Sequence, residues 1–487
     1  MLSGTINYLN YIGGEWMPSC AGRTFSMINP ATQEVIGQAQ ESNETDMENA
    51  IASAKLAFKN TAWRKDSSLR ARVLFELAKR LSEKKEFLAK LYTKNNGKTI
   101  GEARFELSGC IDGIEYSAGM ARNIFGRSID PVEDSLSVIV REPIGVVGVI
   151  SPWNWPIQLM FREMIPALAA GNAVVMKPAS NTAAISMAVI QILSEISELP
   201  RGIVNVVTGP GCTIGEVLAK SKDVNMVSFT GDTSTGRRIA ELAANTIKKV
   251  TLELGGKSPN ILFDDADLDK AIPAAIKAVF LTCGQVCMAG TRLVVQDTIF
   301  EEVVDRIKTA TEQLNVGNGL DSGCDIGPLI SQSQLDIVLN YIETGKREGK
   351  LVTGGYRLAG KGYDDGFFVA PTVFIDLPNN SSLVQEEIFG PVLVIQKFHT
   401  EAEAIEIANG TQYGLAAAIW TKDVNRAIRA AREIEAGTIW VNAYFKLYNQ
   451  TEFGGYKASG IGRTRGIDGL LEFTETKHIN FDMKGAL

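Results

Sequence analysis

Histidine is scarce. The chain of 487 residues has two, His399 and His478. That leaves too few imidazoles for a histidine-based metal centre, and neither stands in an obvious catalytic turn. Cysteine is sparse as well. Cys20, Cys110, Cys212, Cys283, Cys287 and Cys324 are scattered and set no disulfide framework, which points to a reducing, intracellular compartment. No stretch of about 18 apolar residues occurs, so no membrane-spanning helix is expected. The opening MLSGTINYLNYIGGEW has no basic segment followed by an apolar run, so no secretory signal is expected. A basic surplus is missing too. The 49 Lys and Arg against 56 Asp and Glu give a net charge of −7, which argues against a nucleic-acid partner. Repeats and low-complexity tracts are absent. The expectation is a cytoplasmic globular protein of several domains with a small-molecule partner.

What is present is alternation. Apolar runs GVVGVIS (145–151), AVVMK (173–177), IVNVVTG (203–209), MVSFTG (226–231), VTLELGG (250–256) and NILF (260–263) read as strands. Helical patterns over 157–170, 182–196, 214–220 and 235–244 lie between them. Strands separated by helices of about 10–15 residues predict βαβ units on a parallel sheet, the doubly wound architecture that binds nucleotides. An α/β core without a cofactor fits the same pattern. From Ala271 a second α/β series begins, with strands at 291–296, 392–398 and 438–442. Outside both series, SLSVIVREPIG (135–145) and EFTETKHINFDMK (472–484) alternate in polarity. Such ribbons can pair across subunits and cover each other's edges, or form surface hairpins.

Two glycine-rich turns could cradle a phosphate. GPGCTIG (209–215) misplaces its third glycine by one position. FTGDTSTGRR (229–238) follows a strand and opens a helix, so Gly231 and Gly236 would let a pyrophosphate approach free N–H groups. Asp232 in that turn would repel phosphate unless it caps the helix. Cys283 and Cys287, four residues apart, are open to three readings by spacing alone: a nucleophile, half of a metal site, or packed small hydrophobes. No Cys/His cluster completes a metal site. Glu253 sits in an apolar strand, where burial lifts a carboxylate toward general-base range. Asn154 and Lys177 stand at predicted strand ends, where open sheets keep their crevices.

These residues carry a resemblance. PWNWP (152–156), MKPA (176–179), LELGGKSP (252–259), GQVCMAGTR (284–292), EEIFGPV (386–392), WVN (440–442) and FGGYKASGIGR (453–463) stand in order over nearly the full chain. The chain resembles the NAD(P)-dependent aldehyde dehydrogenases. The resemblance implies an α/β fold with a Rossmann-like parallel-sheet cofactor domain (1–122 and 144–255), a catalytic α/β domain (256–450) and a β oligomerisation arm (123–143 and 472–487). It implies Cys287 as nucleophile with Cys283 a packed neighbour, Asn154 as oxyanion donor with the Cys287 backbone N–H, and Glu253 as general base. NAD or NADP would be held by Trp153, Lys177, Ser180, Gly231, Gly236, Glu387 and Phe389. The assembly would be a homodimer or homotetramer, with neither metal nor membrane involved.

Two positions depart from common members. Ser180 stands where NAD-preferring members often carry glutamate, which removes repulsion against a 2′-phosphate and predicts dual cofactor use. Arg162 would share a helix face with Trp155 and Leu159 along the aldehyde tunnel. It resembles members that act on semialdehydes and on lactaldehyde or aromatic aldehydes, and the alternative is a structural arginine paired with an internal glutamate. An inward Glu452 would weaken an anionic substrate. Rival functions are a coenzyme A-acylating relative, disfavoured by Glu253, a cofactor-free thiol hydrolase, and a catalytically silent binding protein.

Overall fold

The structure, a computed structural model, describes residues 6–484. The expected domain and arm boundaries run over residues 1–5 and 485–487, which lie outside the described residues. One sheet has five central parallel strands. In spatial order they are Lys249–Glu253, Met226–Thr230, Val146–Ile150, Ala173–Lys177 and Val204–Val206. Counting along the chain, the order is 5-4-1-2-3, so the winding reverses between the first and fourth strands. Ligand crevices of doubly wound sheets open at this reversal. Short antiparallel strands extend both edges: Gly460–Ile461 beside Lys249–Glu253, and Asn10–Ile12 with Glu15–Met17 beyond Val204–Val206.

The second sheet runs Lys350–Thr353, Thr372–Ile375, Val392–Phe398, Arg292–Gln296, Pro259–Leu262, Ala416–Trp420, Thr438–Val441, parallel except at its first pair. Pro259–Leu262 corrects the sequence pattern, which placed NILF at the end of the first series. It pairs only with strands of the second sheet. The chain crosses between the two sheets in the five residues between Glu253 and Pro259. The two polar ribbons pair with each other: Thr474–Asp482 lies antiparallel to Ser135–Pro143, which also pairs with Arg127–Ile129.

The helix Pro156–Ala169 connects the sheet to its chemistry. Proline at its first position supplies a fixed φ where no N–H is needed. Every residue of it but Gln158 is buried, including Arg162 and Glu163, so both charges need internal partners. Against it packs Ile100–Met120, opened by a capping box in which Thr99 accepts from the Glu102 N–H and Glu102 accepts from the Thr99 N–H. Among the described residues no helix is long and apolar enough to cross a membrane.

Candidate active site

The crevice expected at the winding reversal is there. Ile150 leads through Ser151 and Pro152 to Trp153 and Asn154, and the neighbouring strand ends at Thr230 before Gly231. Their side is lined as a cleft of about 350 Å³ that includes Trp153, Asn154, Gly231, Glu253, Cys287 and Phe389. A second cavity of about 280 Å³ is lined by Phe105, Trp155, Leu159, Met288 and Phe453, and again by Asn154 and Cys287. The thiol and the amide therefore stand at the wall where two chambers meet. His399 is exposed and paired with Asp297 at 2.8 Å, and His478 lies on the outer strand Thr474–Asp482, so neither lines these chambers.

The turn that carries the thiol is strained and strapped. Thr282 and Cys283 have φ of 51° and 57°, a left-handed conformation that β-branched residues avoid. Glu102 holds it: its Oε1 accepts from the Thr282 N–H at 2.5 Å and from the Thr282 hydroxyl at 3.2 Å. Gln285 donates to the Thr282 carbonyl at 2.9 Å and accepts from the Ile330 N–H at 3.0 Å. Gly284, at φ 72°, lies against the Gly390 carbonyl, and a Cβ there would collide with it. Cys283 is thereby turned into the apolar core, while Cys287 opens to both chambers. Asn154 donates from Nδ2 to the Gln285 carbonyl at 2.9 Å, which leaves its second amide hydrogen to offer. Burial, with Glu387 adding to it, pushes the Cys287 thiol up to about 12, while Arg162 and the Met288 N–H pull it down.

Glu253 ends its strand with 4% of its surface exposed, and its Oε1 has no hydrogen-bond partner among the described residues. Burial raises its pKa to about 8 against the pull of Arg162, whose Nη1 is 3.6 Å from Oε2. Arg162 lines the second cavity with Trp155 and Leu159, as the helix spacing predicts, but its guanidinium is engaged internally. Nε donates to Glu163 at 2.9 Å and Nη2 to the Thr230 hydroxyl at 2.9 Å. Glu163 accepts in turn from Ser228 at 2.7 Å, and Thr251 donates to Ser228 at 2.9 Å. The sequence reading passed over Glu163. Its signal was a second charge inside the apolar run FREMIPAL.

On the cleft side, Glu387 accepts from the Gly256 N–H at 3.0 Å, and burial lifts its pKa to about 8. Phe389 sits at φ 58°, pinned by Gln334, which donates to the carbonyls of Ile388 at 3.2 Å and Phe389 at 3.0 Å. Its ring meets Trp153 edge-on with centroids 5.3 Å apart. A bulky residue held at positive φ marks strain retained at a site. Gln334 also escaped the sequence reading, because a glutamine in a helix carries no motif.

Other expected cofactor residues stand farther off. Gly236 is buried against Leu254 and does not line the cleft. Lys177 and Ser180 lie outside it, two strands across from Thr230. Lys177 is buried, which lowers its pKa to about 8, and its amine has no hydrogen-bond partner among the described residues. Ser180 donates to the Gly209 carbonyl at 3.1 Å. Asp232 caps the helix Thr233–Ala244, accepting from the N–H groups of Ser234 at 2.9 Å and Thr235 at 3.0 Å. The helix start thus presents a carboxylate as well as donors. Glu452 is exposed and caps Gly466–Leu471 by accepting from Ile467 at 3.1 Å, outside the second cavity.

Comparison with known proteins agrees with this geometry. The profile of the "Aldehyde dehydrogenase family" matches residues 16–479. Betaine aldehyde dehydrogenase of Bacillus subtilis (strain 168) is 42% identical over 479 residues, 98% of each chain. Aldehyde dehydrogenase 1A1 of Mesocricetus auratus is 42% identical over 474 residues, 96% of this chain and 94% of that one. The crystal structure of betaine aldehyde dehydrogenase from Staphylococcus aureus in complex with NAD+ superposes with a TM-score of 0.97 at 38% identity, over 99% of this chain and 96% of that one. The chain belongs to the aldehyde dehydrogenase family.

Proposed function

We propose that the chain oxidises an aldehyde to the carboxylic acid with NAD+ or NADP+, through a covalent intermediate on Cys287. The observation that carries this is the shared wall: Cys287 and Asn154 line both chambers, and Glu253 lines the cleft beside them. The aldehyde enters the apolar cavity and the cofactor the cleft. A dinucleotide fits the residues present. The missing side chain of Gly255 makes room for the Glu387 carboxylate, since a Cβ there would collide with Glu387 Oε2. That carboxylate suits the nicotinamide ribose, Phe389 and Trp153 border the ring, and the unpartnered Lys177 amine suits the adenosine ribose. Gly231 admits the pyrophosphate. Cofactor binding falls to the unit of the first sheet (1–122 and 144–255), and the thiol to that of the second (256–450).

Glu253 takes the thiol proton, directly or through a water, and the Cys287 sulfur forms a bond to the carbonyl carbon. The resulting oxyanion receives the free Asn154 amide hydrogen and the Cys287 N–H. One such donor is worth about 3–4 kcal/mol. When bound, the nicotinamide supplies the acceptor for the hydride that leaves this carbon. Cys287 then holds the acyl group as a thioester. Glu253, having passed the first proton to solvent, deprotonates a water that attacks the carbonyl carbon, and the C–S bond breaks to release the acid and regenerate the Cys287 sulfur. Ser180, neutral and engaged with a backbone carbonyl, leaves space for a 2′-phosphate near Lys177, so both cofactors are used. Exposed Ile479 and Phe481 alternate along Thr474–Asp482, and exposed Met483 follows it, which supports a homodimer or homotetramer joined through this sheet.

Absorbance at 340 nm on mixing aldehyde with NAD+ or NADP+ tests the reaction. Cys287→Ser is expected to give no reduced cofactor. Glu253→Gln is expected to abolish steady turnover, because water loses its base, and to slow the first burst of reduced cofactor, because the thiol loses its proton acceptor. Turnover that requires coenzyme A, or hydrolysis of thioesters without any cofactor, would refute the proposal.

A further inference from the structure

We propose that the aldehyde cavity selects substrates carrying a carboxylate remote from the reacting carbonyl, and that Arg465 receives it. The inference rests on the assignment of this cavity to the aldehyde. The sequence pointed to Arg162 for such a task, but Arg162 is committed to Glu163, Thr230 and Glu253. Arg465 lines the same cavity and is committed to much less. Its Nη1 donates to Asn449 Oδ1 at 2.8 Å, and among the described residues no carboxylate lies within ion-pair distance of it. A guanidinium has five donors, so the rest of this fork is left for a ligand. Burial, with the charge of Arg162 adding to it, draws Arg465 down to about 10. Glu253 and Glu163 act on it only from beyond ion-pair distance, so no carboxylate directly pairs with it among the described residues, and a carboxylate is the group that a guanidinium fork fits.

The backbone agrees. Arg465 has φ 60° and ψ −178°, a region that belongs to glycine. A glycine is the next residue in the chain, so the strained position is held by an arginine with a glycine beside it. The cavity's own carboxylates leave Arg465 free. Glu106 is paired with Lys98 at 2.5 Å and accepts from the Gln158 N–H at 2.9 Å. Asp112 is exposed and accepts from Asn449 Nδ2 at 2.5 Å, so Asn449 stands between it and Arg465.

The aromatic walls argue against a cationic substrate. A quaternary ammonium needs open ring faces. Here Lys98 Nζ lies 3.9 Å from the Trp155 ring centroid, and the Arg162 guanidinium 5.8 Å from that of Phe453. The protein's own cations already occupy one face of each ring. Leu281, Val286, Phe445 and Leu447 complete an apolar sleeve suited to the spacer between the aldehyde and its carboxylate.

The test compares aldehydes of four to six carbons that end in a carboxylate with n-alkanals of the same length, and with betaine aldehyde, using wild type, Arg465→Gln, Arg465→Lys and Arg162→Met. In wild type at least one carboxylate-bearing aldehyde is expected to exceed its neutral partner tenfold or more in kcat/KM. Arg465→Gln is expected to cut that ratio at least tenfold, mainly through KM, and Arg465→Lys to restore part of it. A second arm needs only wild type: the dicarboxylate of the preferred length should inhibit at least tenfold more tightly than the matching monocarboxylate. A ratio near one in wild type, a ratio indifferent to Arg465→Gln, or preference for betaine aldehyde would overturn the proposal. So would a ratio that collapses in Arg162→Met and survives in Arg465→Gln. If no aldehyde of any kind reduces the cofactor, the underlying assignment fails and the proposal with it, an outcome distinct from equal use of all aldehydes.

Discussion

Removing the Arg162 side chain should move the pH dependence of thioester hydrolysis to higher pH. In the proposed reaction Glu253 must be ionised to deprotonate water, and burial raises its pKa to about 8. At pH 7 about a tenth of the enzyme carries the carboxylate, and at pH 9 about nine tenths. The hydrolytic rate of wild type should therefore rise about tenfold over that interval. Arg162 opposes the effect of burial from 3.6 Å. A neighbouring opposite charge lowers a carboxylate by about 1–3 units, and this one is shared with Glu163, so the lower end applies. Arg162→Met removes the cation and leaves Glu163 repelling Glu253, which shifts the profile up by about one unit or more. At pH 7.5 the variant should hydrolyse its thioester several-fold to about tenfold more slowly, with recovery above pH 9. Stopped-flow absorbance separates the first burst of reduced cofactor from the steady state that follows it. Both phases should carry the shift, since Glu253 serves the thiol in the first and water in the second, and Glu253→Gln should abolish the second. A variant profile that superposes on wild type, or a wild-type profile flat from pH 6 to 9, would refute the coupling.

Other expectations concern single positions. Lys98→Met should lower stability by about 3–5 kcal/mol in urea unfolding, because Lys98 and Glu106 are both fully buried and the glutamate would lose its partner. Ser180→Glu should turn the enzyme toward NAD+, reducing kcat/KM for NADP+ at least tenfold relative to NAD+. Asp232→Ser keeps a helix cap and removes its charge, so KM for the cofactor should fall several-fold while kcat changes little. An unchanged KM would mean that the pyrophosphate avoids this helix start.

Strand positions were legible wherever apolar runs were long. The runs 173–177 and 392–398 are strands over the same residues. Partners were not legible. NILF has the composition of any buried strand, and only pairing with Arg292–Gln296 and Ala416–Trp420 assigns it to the second sheet. The edge strands Asn10–Ile12 and Gly460–Ile461 are too short to show a period. At the site, spacing could not separate Cys283 from Cys287. What separates them is a left-handed turn at Thr282 and Cys283, held by Glu102 from a distant helix. The pairing of Arg162 with its immediate neighbour was hidden for another reason. Adjacent helix residues do not share a face, and only the length of the arginine side chain lets it reach back.

The bare contact of Gly284 with the Gly390 carbonyl has a mechanical meaning. No side chain cushions the two loops, one carrying the sulfur and the other Phe389. Gln285 ties the first loop to Ile330, and Gln334, four residues on, ties the second. The pair behaves as one stiff lever with an end in each chamber. A group seated against Phe389 would press, through that lever, on the aim of the Cys287 sulfur.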